Sequence, residues 1–71
     1  MNSPWTRLRL RVRKLRRDAG LTQVELGELL GVDRTHVSRI ERGLSHPSLW
    51  QLVRLCERFR VSSDYLLGLE D

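Results

Sequence analysis

Apolar residues recur along this chain at spacings of three and four, and nowhere do they alternate with the period of two that a strand requires. Trp5, Leu8, Val12, Leu15 and Ala19 fall at intervals of 3-4-3-4, one stripe of a helix predicted over 4–19. Ser3 is its cap, Pro4 occupies the first turn, where a missing N–H costs nothing, and Gly20 closes it. Thr22-Gln23-Val24-Glu25 reads as a capping box, in which Thr22 accepts from a free N–H and Glu25 reaches back. It opens a helix over 22–30 that turns Leu26, Leu29 and Leu30 inward and stops at Gly31. Asp33 caps a third helix over 33–41, with Val37 and Ile40 inward and Gly43 beyond its end. Ser48-Leu49-Trp50-Gln51 repeats the capping box; the helix it opens, 48–59, carries a predicted buried stripe of Leu49, Leu52, Val53, Cys56 and Phe59. A short fifth helix runs from Ser62 through Tyr65, Leu66 and Leu67, over 62–68. The prediction is an all-α, compact five-helix fold forming one domain over residues 1–71.

The link between the second and third helices is the informative one. Only Gly31 and Val32 separate the end of one from the cap of the next, a turn too short for two antiparallel helices, so they must cross at a large angle. Gly27 sits inside the second helix, where glycine costs up to about 1 kcal/mol relative to alanine. Close approach of the third helix would explain it; a merely tolerated glycine is the alternative. Projected at about 100° per residue, the third helix points Val37 and Ile40 one way and Arg34, Thr35, Ser38, Arg39 and Arg42 the other, with His36 and Glu41 on the flanks. That outward face holds three arginines, two hydroxyls and no carboxylate, whereas a solvated face ordinarily mixes acids with bases. Arg39 and Arg42 also suit a helix C-terminus through its dipole, so Arg34 is the more diagnostic.

Size and charge narrow the picture. At 71 residues the chain can build one modest core. Its single cysteine, Cys56, excludes an internal disulfide, and one cysteine with His36 and His46 does not make a structural zinc site. Stability therefore rests on helix packing. The chain holds 13 Lys+Arg against 9 Asp+Glu, and the excess is concentrated at one end. Residues 1–18 carry Arg7, Arg9, Arg11, Arg13, Lys14, Arg16 and Arg17 against Asp18 alone, a field whose natural partner is a polyanion. No apolar run approaches the roughly 20 residues that span a bilayer, and no secretory segment is visible. The sequence reads as soluble and cytoplasmic, associated with the nucleoid.

The segment from Leu21 to Gly43 resembles the Cro and phage-repressor helix-turn-helix family. The likeness continues without gaps through Pro47-Ser48-Leu49, Val61-Ser62 and Asp64-Tyr65-Leu66-Leu67, and reaches back to Leu15-Arg16, covering about 55 of 71 residues. Its distinguishing set is a small residue at 27, Gly31, Val37, Ile40, Glu41-Arg42-Gly43 and Pro47-Ser48-Leu49. The resemblance implies a lambda-repressor-like fold with the second and third helices as the helix-turn-helix, and a regulator that inserts the third helix into the major groove of double-stranded DNA. It implies base contacts from Arg34, Thr35, Ser38 and Arg39. It implies phosphate contacts from Gln23 and from Arg42, Gly43, Ser45 and His46, and an internal ion pair between Arg16 and Glu41. It also implies a homodimer on a near-palindromic operator, formed through the fifth helix and the preceding turn (Arg60, Val61, Leu66 and Leu69). Two departures stand out. The loop Leu44-Ser45-His46 is less basic than is common in the family, and Arg60 stands where the family often has glycine, so a positive φ there carries strain.

The first helix bears three like-charged i,i+4 pairs, Arg7/Arg11, Arg9/Arg13 and Arg13/Arg17, each costing a few tenths of a kcal/mol. A DNA backbone would relieve them; a merely solubilising role or a lipid surface are the other readings, the last opposed by an apolar stripe already claimed by the core. No nucleophile–base pair, paired carboxylates or metal cluster suggests catalysis, and no cofactor, metal or small-molecule substrate is expected. The competing function is a module of the same fold whose main partner is another protein, as in antitoxins and coactivators.

Overall fold

The computed structural model describes residues 4–70; the predicted cap at Ser3 and the terminal Asp71 lie outside the described residues. Five helices follow in order: α1 (Pro4–Asp18), α2 (Gln23–Leu30), α3 (Arg34–Glu41), α4 (Leu49–Phe59) and α5 (Ser63–Leu66). Among the described residues the regular structure is entirely helical.

The local signals act as their chemistry dictates. Thr22 Oγ1 accepts from the Glu25 N–H while Glu25 accepts from the Thr22 N–H, and Ser48 and Gln51 exchange the same pair of bonds. Asp33 accepts from the His36 N–H at 3.0 Å, and Ser62 from the Tyr65 N–H at 3.0 Å. These bonds satisfy N–H groups that have no partner inside a first turn. Each helix starts one residue after the start predicted for it, except α1, because the cap itself keeps extended backbone. Arg60 takes the left-handed conformation (φ 54°, ψ 46°), and its N–H caps the Cys56 carbonyl; a glycine would hold that place without a Cβ penalty.

Every helix contributes to the core: Leu8 and Val12, Leu26 and Leu30, Val37 and Ile40, Leu55, and Leu66. Burying such side chains stabilises by roughly 1.5–3 kcal/mol each before entropy is charged against it. The expected stripes need three corrections. Ala19 is exposed and lies past the end of α1. Trp5 is 44% exposed and stacks on His46, with ring centroids 4.6 Å apart and planes 12° from parallel. On α4 the buried residues are Gln51 and Leu55; Leu52, Cys56 and Phe59 are partly buried, while Leu49 and Val53 are 78% and 48% exposed. Gln51 is accommodated because its carbonyl oxygen serves the Ser48 cap and its amide donates to the Leu30 carbonyl at the end of α2.

The short α5 is held from α1. Arg7 donates to the Gly68 carbonyl at 2.6 Å, and Arg11 donates to the carbonyls of Tyr65 and of Glu70, the latter at 2.7 Å. The Arg11 guanidinium also lies 4.2 Å from the centre of the Tyr65 ring. Cations suit the carbonyl end of a helix, and a four-residue helix has little stability of its own. The repulsion between Arg7 and Arg11 is thus relieved by protein carbonyls, without a polyanion.

Candidate nucleic-acid interface

The site is built on the crossing of α2 and α3. At Gly27 an added Cβ would lie 2.5 Å from the Val32 carbonyl oxygen and 3.4 Å from the Asp33 carbonyl carbon. The backbone entering α3 runs directly over α2 at that point, so the glycine is required by contact. The Val32 N–H donates to the Gly27 carbonyl at 2.9 Å, and Gly31 turns the chain with φ 72°. With Val37 and Ile40 buried, the rotation of α3 about its axis is fixed.

That rotation leaves Arg34, Thr35 and Arg39 exposed and Ser38 half-buried. The ion pairs among the described residues are Lys14–Asp18 and Arg16–Glu41, so none of the three arginines of this face, Arg34, Arg39 and Arg42, is paired with an acid. Asp33 uses its carboxylate on the His36 N–H, not on Arg34. His36, on the flank, buries an Nε2 that has no hydrogen-bond partner.

Glu41 closes the back of the unit. Arg16 donates to it twice, from Nε to Oε2 at 2.6 Å and from Nη2 to Oε1 at 3.0 Å, and a third bond runs from Nη1 to the Leu21 carbonyl at 2.9 Å. The Arg16 side chain is 11% exposed and that of Glu41 4%. Hydrogen bonding to Glu41 raises the Arg16 pKa above its already high ordinary value, so this cation stays charged wherever the protein is folded. Gln23, in the first turn of α2, donates its amide to Glu41 Oε1 at 3.2 Å. An amide nitrogen carries two hydrogens, so the second remains to donate outward from a side chain held in place by the first. Gln23, Arg16 and Glu41 therefore form one network joining α1, α2 and α3, a link between a predicted phosphate contact and the ion pair that residue spacing alone gave no means of finding.

At the far end of α3, Arg42 is exposed and its Nε approaches the Ser38 carbonyl at 3.4 Å. Gly43 follows with φ 78°. Ser45 is half-buried; His46 is exposed but stacked on Trp5, with Nδ1 3.3 Å from the Pro47 carbonyl oxygen. His46 is thus tied to the start of α1 by its stack on Trp5, and Arg42 to α3 through the Ser38 carbonyl. Among the described residues no group of three or more His, Cys, Asp or Glu side chains could hold a metal ion, and no helix is long and apolar enough to cross a membrane.

Two capped helices crossing at a two-residue turn, with the second presenting an uncompensated basic and hydroxyl face, define a helix-turn-helix. The profile of the helix-turn-helix family HTH_3 matches residues 12–66, and the chain belongs to that family. In fold it is similar to the P22 c2 repressor, solved in complex with a synthetic operator: TM-score 0.80 at 30% identity, over 89% of this chain and 96% of that one. In sequence it is 36% identical over 61 residues to the transcriptional regulator ImmR of Bacillus subtilis, 86% of this chain but 48% of that protein. It is 33% identical over 57 residues to the antitoxin PezA of Streptococcus pneumoniae, 80% of this chain and 36% of that one. The chain thus spans about half of ImmR and little more than a third of PezA.

Proposed function

We propose that this chain is a sequence-specific, double-stranded-DNA-binding transcriptional regulator of the repressor kind and not an enzyme, with α3 entering the major groove. The observation that carries the reading is the face of α3, where Arg34, Thr35 and Arg39 stand exposed on a helix whose rotation is fixed by the core. Arg34 opens α3, the end that enters the groove, and arginine's fork suits the O6 and N7 of guanine. Thr35, Ser38 and Arg39 are the further base contacts. Gln23 on one side, and Arg42, Gly43, Ser45 and His46 on the other, hold the two phosphate backbones, with the loop residues contributing through backbone N–H groups. The operator complex of the P22 c2 repressor supports this reading by likeness.

One recognition helix spans only a few base pairs, so two copies on a near-palindrome about one helical turn apart complete the site. Leu66 is 0% exposed and belongs to the core, so it is removed from the dimer face that the resemblance implied. Arg60, Val61 and Leu69 remain; Val61 lines an apolar groove of about 320 Å³ with Leu49, Leu52, Val53 and Cys56, and the exposed Leu49 and Val53 carry that surface along α4. A second copy of the chain is the occupant proposed for it.

The likeness to PezA favours one other reading, in which the same apolar face docks a different protein and DNA binding is secondary. Selection from a pool of random duplexes separates the two. Enrichment of a motif with two-fold symmetry supports the regulator; recovery of no motif at low salt would leave the protein-partner reading standing.

A further inference from the structure

The basic residues of α1 divide into two flanks. Arg7 and Arg11 cap α5, and Lys14 is paired with Asp18 at 2.7 Å. Arg16 is spent on Glu41. Arg9, one of the remaining three, is set apart by where its side chain lies. Its Cδ passes so close to Gly43 that an added Cβ there would meet it at 2.9 Å, and its Nε would lie at 3.4 Å. Arg9 and Arg42 line one pocket of about 180 Å³, floored by Gly43 and walled by Trp5 and Thr6. Trp5 is itself fixed by its stack on His46.

Two arginine side chains from different elements thus line one pocket, and neither has an acidic partner among the described residues. Glu41, next to Arg42 in the chain, is already committed to Arg16 and Gln23. Like charges brought together repel, and an anion between them removes that cost while gaining two charge-assisted hydrogen bonds. Glycine at 43 lets the Arg9 stem cross the end of α3 and brings its guanidinium to the α3–α4 loop. The pocket opens beside Arg42, on the side where the proposed phosphate contacts lie.

We infer that Arg9 and Arg42 form a two-arginine clamp for a single phosphodiester of the DNA backbone, with Arg9 reaching it from α1. This rests on the DNA-binding reading above and adds to it a phosphate contact that lies outside the helix-turn-helix. The clamp ties α1 to the same stretch of backbone as the end of the recognition helix, so it fixes the angle at which α3 meets the groove. It carries no base information.

The test uses the 71-residue chain and a duplex recovered by selection, with binding measured over a range of salt. Arg9→Gln should weaken binding several-fold and make the log K against log salt slope shallower by about one. Arg9→Lys should keep the slope. Lys14→Gln removes the same charge about 140° around α1 and should leave the slope within error of the parent. Single methylphosphonate substitutions then locate the contact: neutralising one phosphate should weaken the parent most, weaken Arg9→Gln and Arg42→Ala less, and cost the double variant nothing further. Thermal melts confirm that the variants fold. If the parent binds with its steep slope and Arg9→Gln keeps both that slope and the parent's methylphosphonate profile, the clamp is wrong and the DNA reading survives. If the parent itself shows no salt-dependent binding to any duplex, the DNA reading fails and the clamp with it.

Discussion

Arg16 on α1 and Glu41 at the end of α3, 25 positions apart in the chain, meet through two hydrogen bonds of 2.6 and 3.0 Å. The pair fastens the first helix to the proposed recognition helix, and Gln23 joins it from α2. Removing one partner leaves a buried charge unpaired. Arg16→Ala should therefore cost about 3–5 kcal/mol, a large part of the 5–15 kcal/mol typical of a whole domain. At roughly 4–8 °C per kcal/mol in a chain of this size, the midpoint of thermal unfolding should fall by more than about 12 °C. A midpoint within a degree or two of the parent would mean that the pair contributes little.

At Gly27 two effects oppose each other. Alanine is the better helix former by about 1 kcal/mol, but its Cβ would meet the Val32 carbonyl oxygen at 2.5 Å. Backbone cannot swing aside as a long side chain can, and overpacking of this kind costs about 1–3 kcal/mol. Gly27→Ala is expected to lower stability in chemical denaturation. A stabilised variant would show that the α2–α3 crossing relaxes freely.

Leu66 and Val53 separate core from interface. Leu66 is 0% exposed, so Leu66→Ala should cost about 2–5 kcal/mol of fold stability. Val53→Lys should leave the melting of the dilute protein nearly unchanged while driving sedimentation toward the monomer and abolishing cooperative binding to a two-half-site duplex. Unaltered association of Val53→Lys would exclude the α4 face as the dimer contact.

Cys56 reports on that same face. Burial raises its thiol pKa above the ordinary value, so the reactive thiolate forms only at higher pH than in a free cysteine. Alkylation at pH near 8 should be slower than for a cysteine-containing peptide, and slower again as protein concentration rises and the face is covered. A rate equal to the peptide's would contradict the burial; a rate indifferent to concentration would contradict the dimer.

The helix-turn-helix itself was readable because its signals are local. Thr22 with Glu25, Asp33, Ser48 with Gln51 and the Gly31 turn each act within three or four residues, and each holds in the structure. The side of α4 that faces the core was not readable. Its apolar surface is wider than the core requires, and the stripe chosen by spacing included Leu49 and Val53 and omitted Leu55. Gln51 was unreadable for another reason: a polar side chain enters the core only because the Leu30 carbonyl waits there, and that contact spans 21 positions. The roles of Arg7, Arg9 and Arg11 were hidden likewise. Their shared charge suggested one common partner, whereas α5 takes two of them and the Gly43 pocket receives the third.

Arg42 should set affinity without setting preference. Arg42→Ala is expected to weaken selected and scrambled duplexes alike and to make the salt slope shallower by about one. A loss confined to the selected duplex would place Arg42 on a base.

The central claim is that the exposed face of α3 reads sequence, and Arg34 is its most direct test. Binding of the parent and of Arg34→Ala is measured on the duplex recovered by selection and on a scrambled duplex of equal length, at one salt concentration. The account predicts that losing Arg34 costs about 1–3 kcal/mol on the selected duplex, roughly 5- to 150-fold, and little on the scrambled one, so that the two affinities converge. Equal losses on both duplexes, with the parent's base preference intact at every position, would contradict it and make Arg34 a phosphate contact.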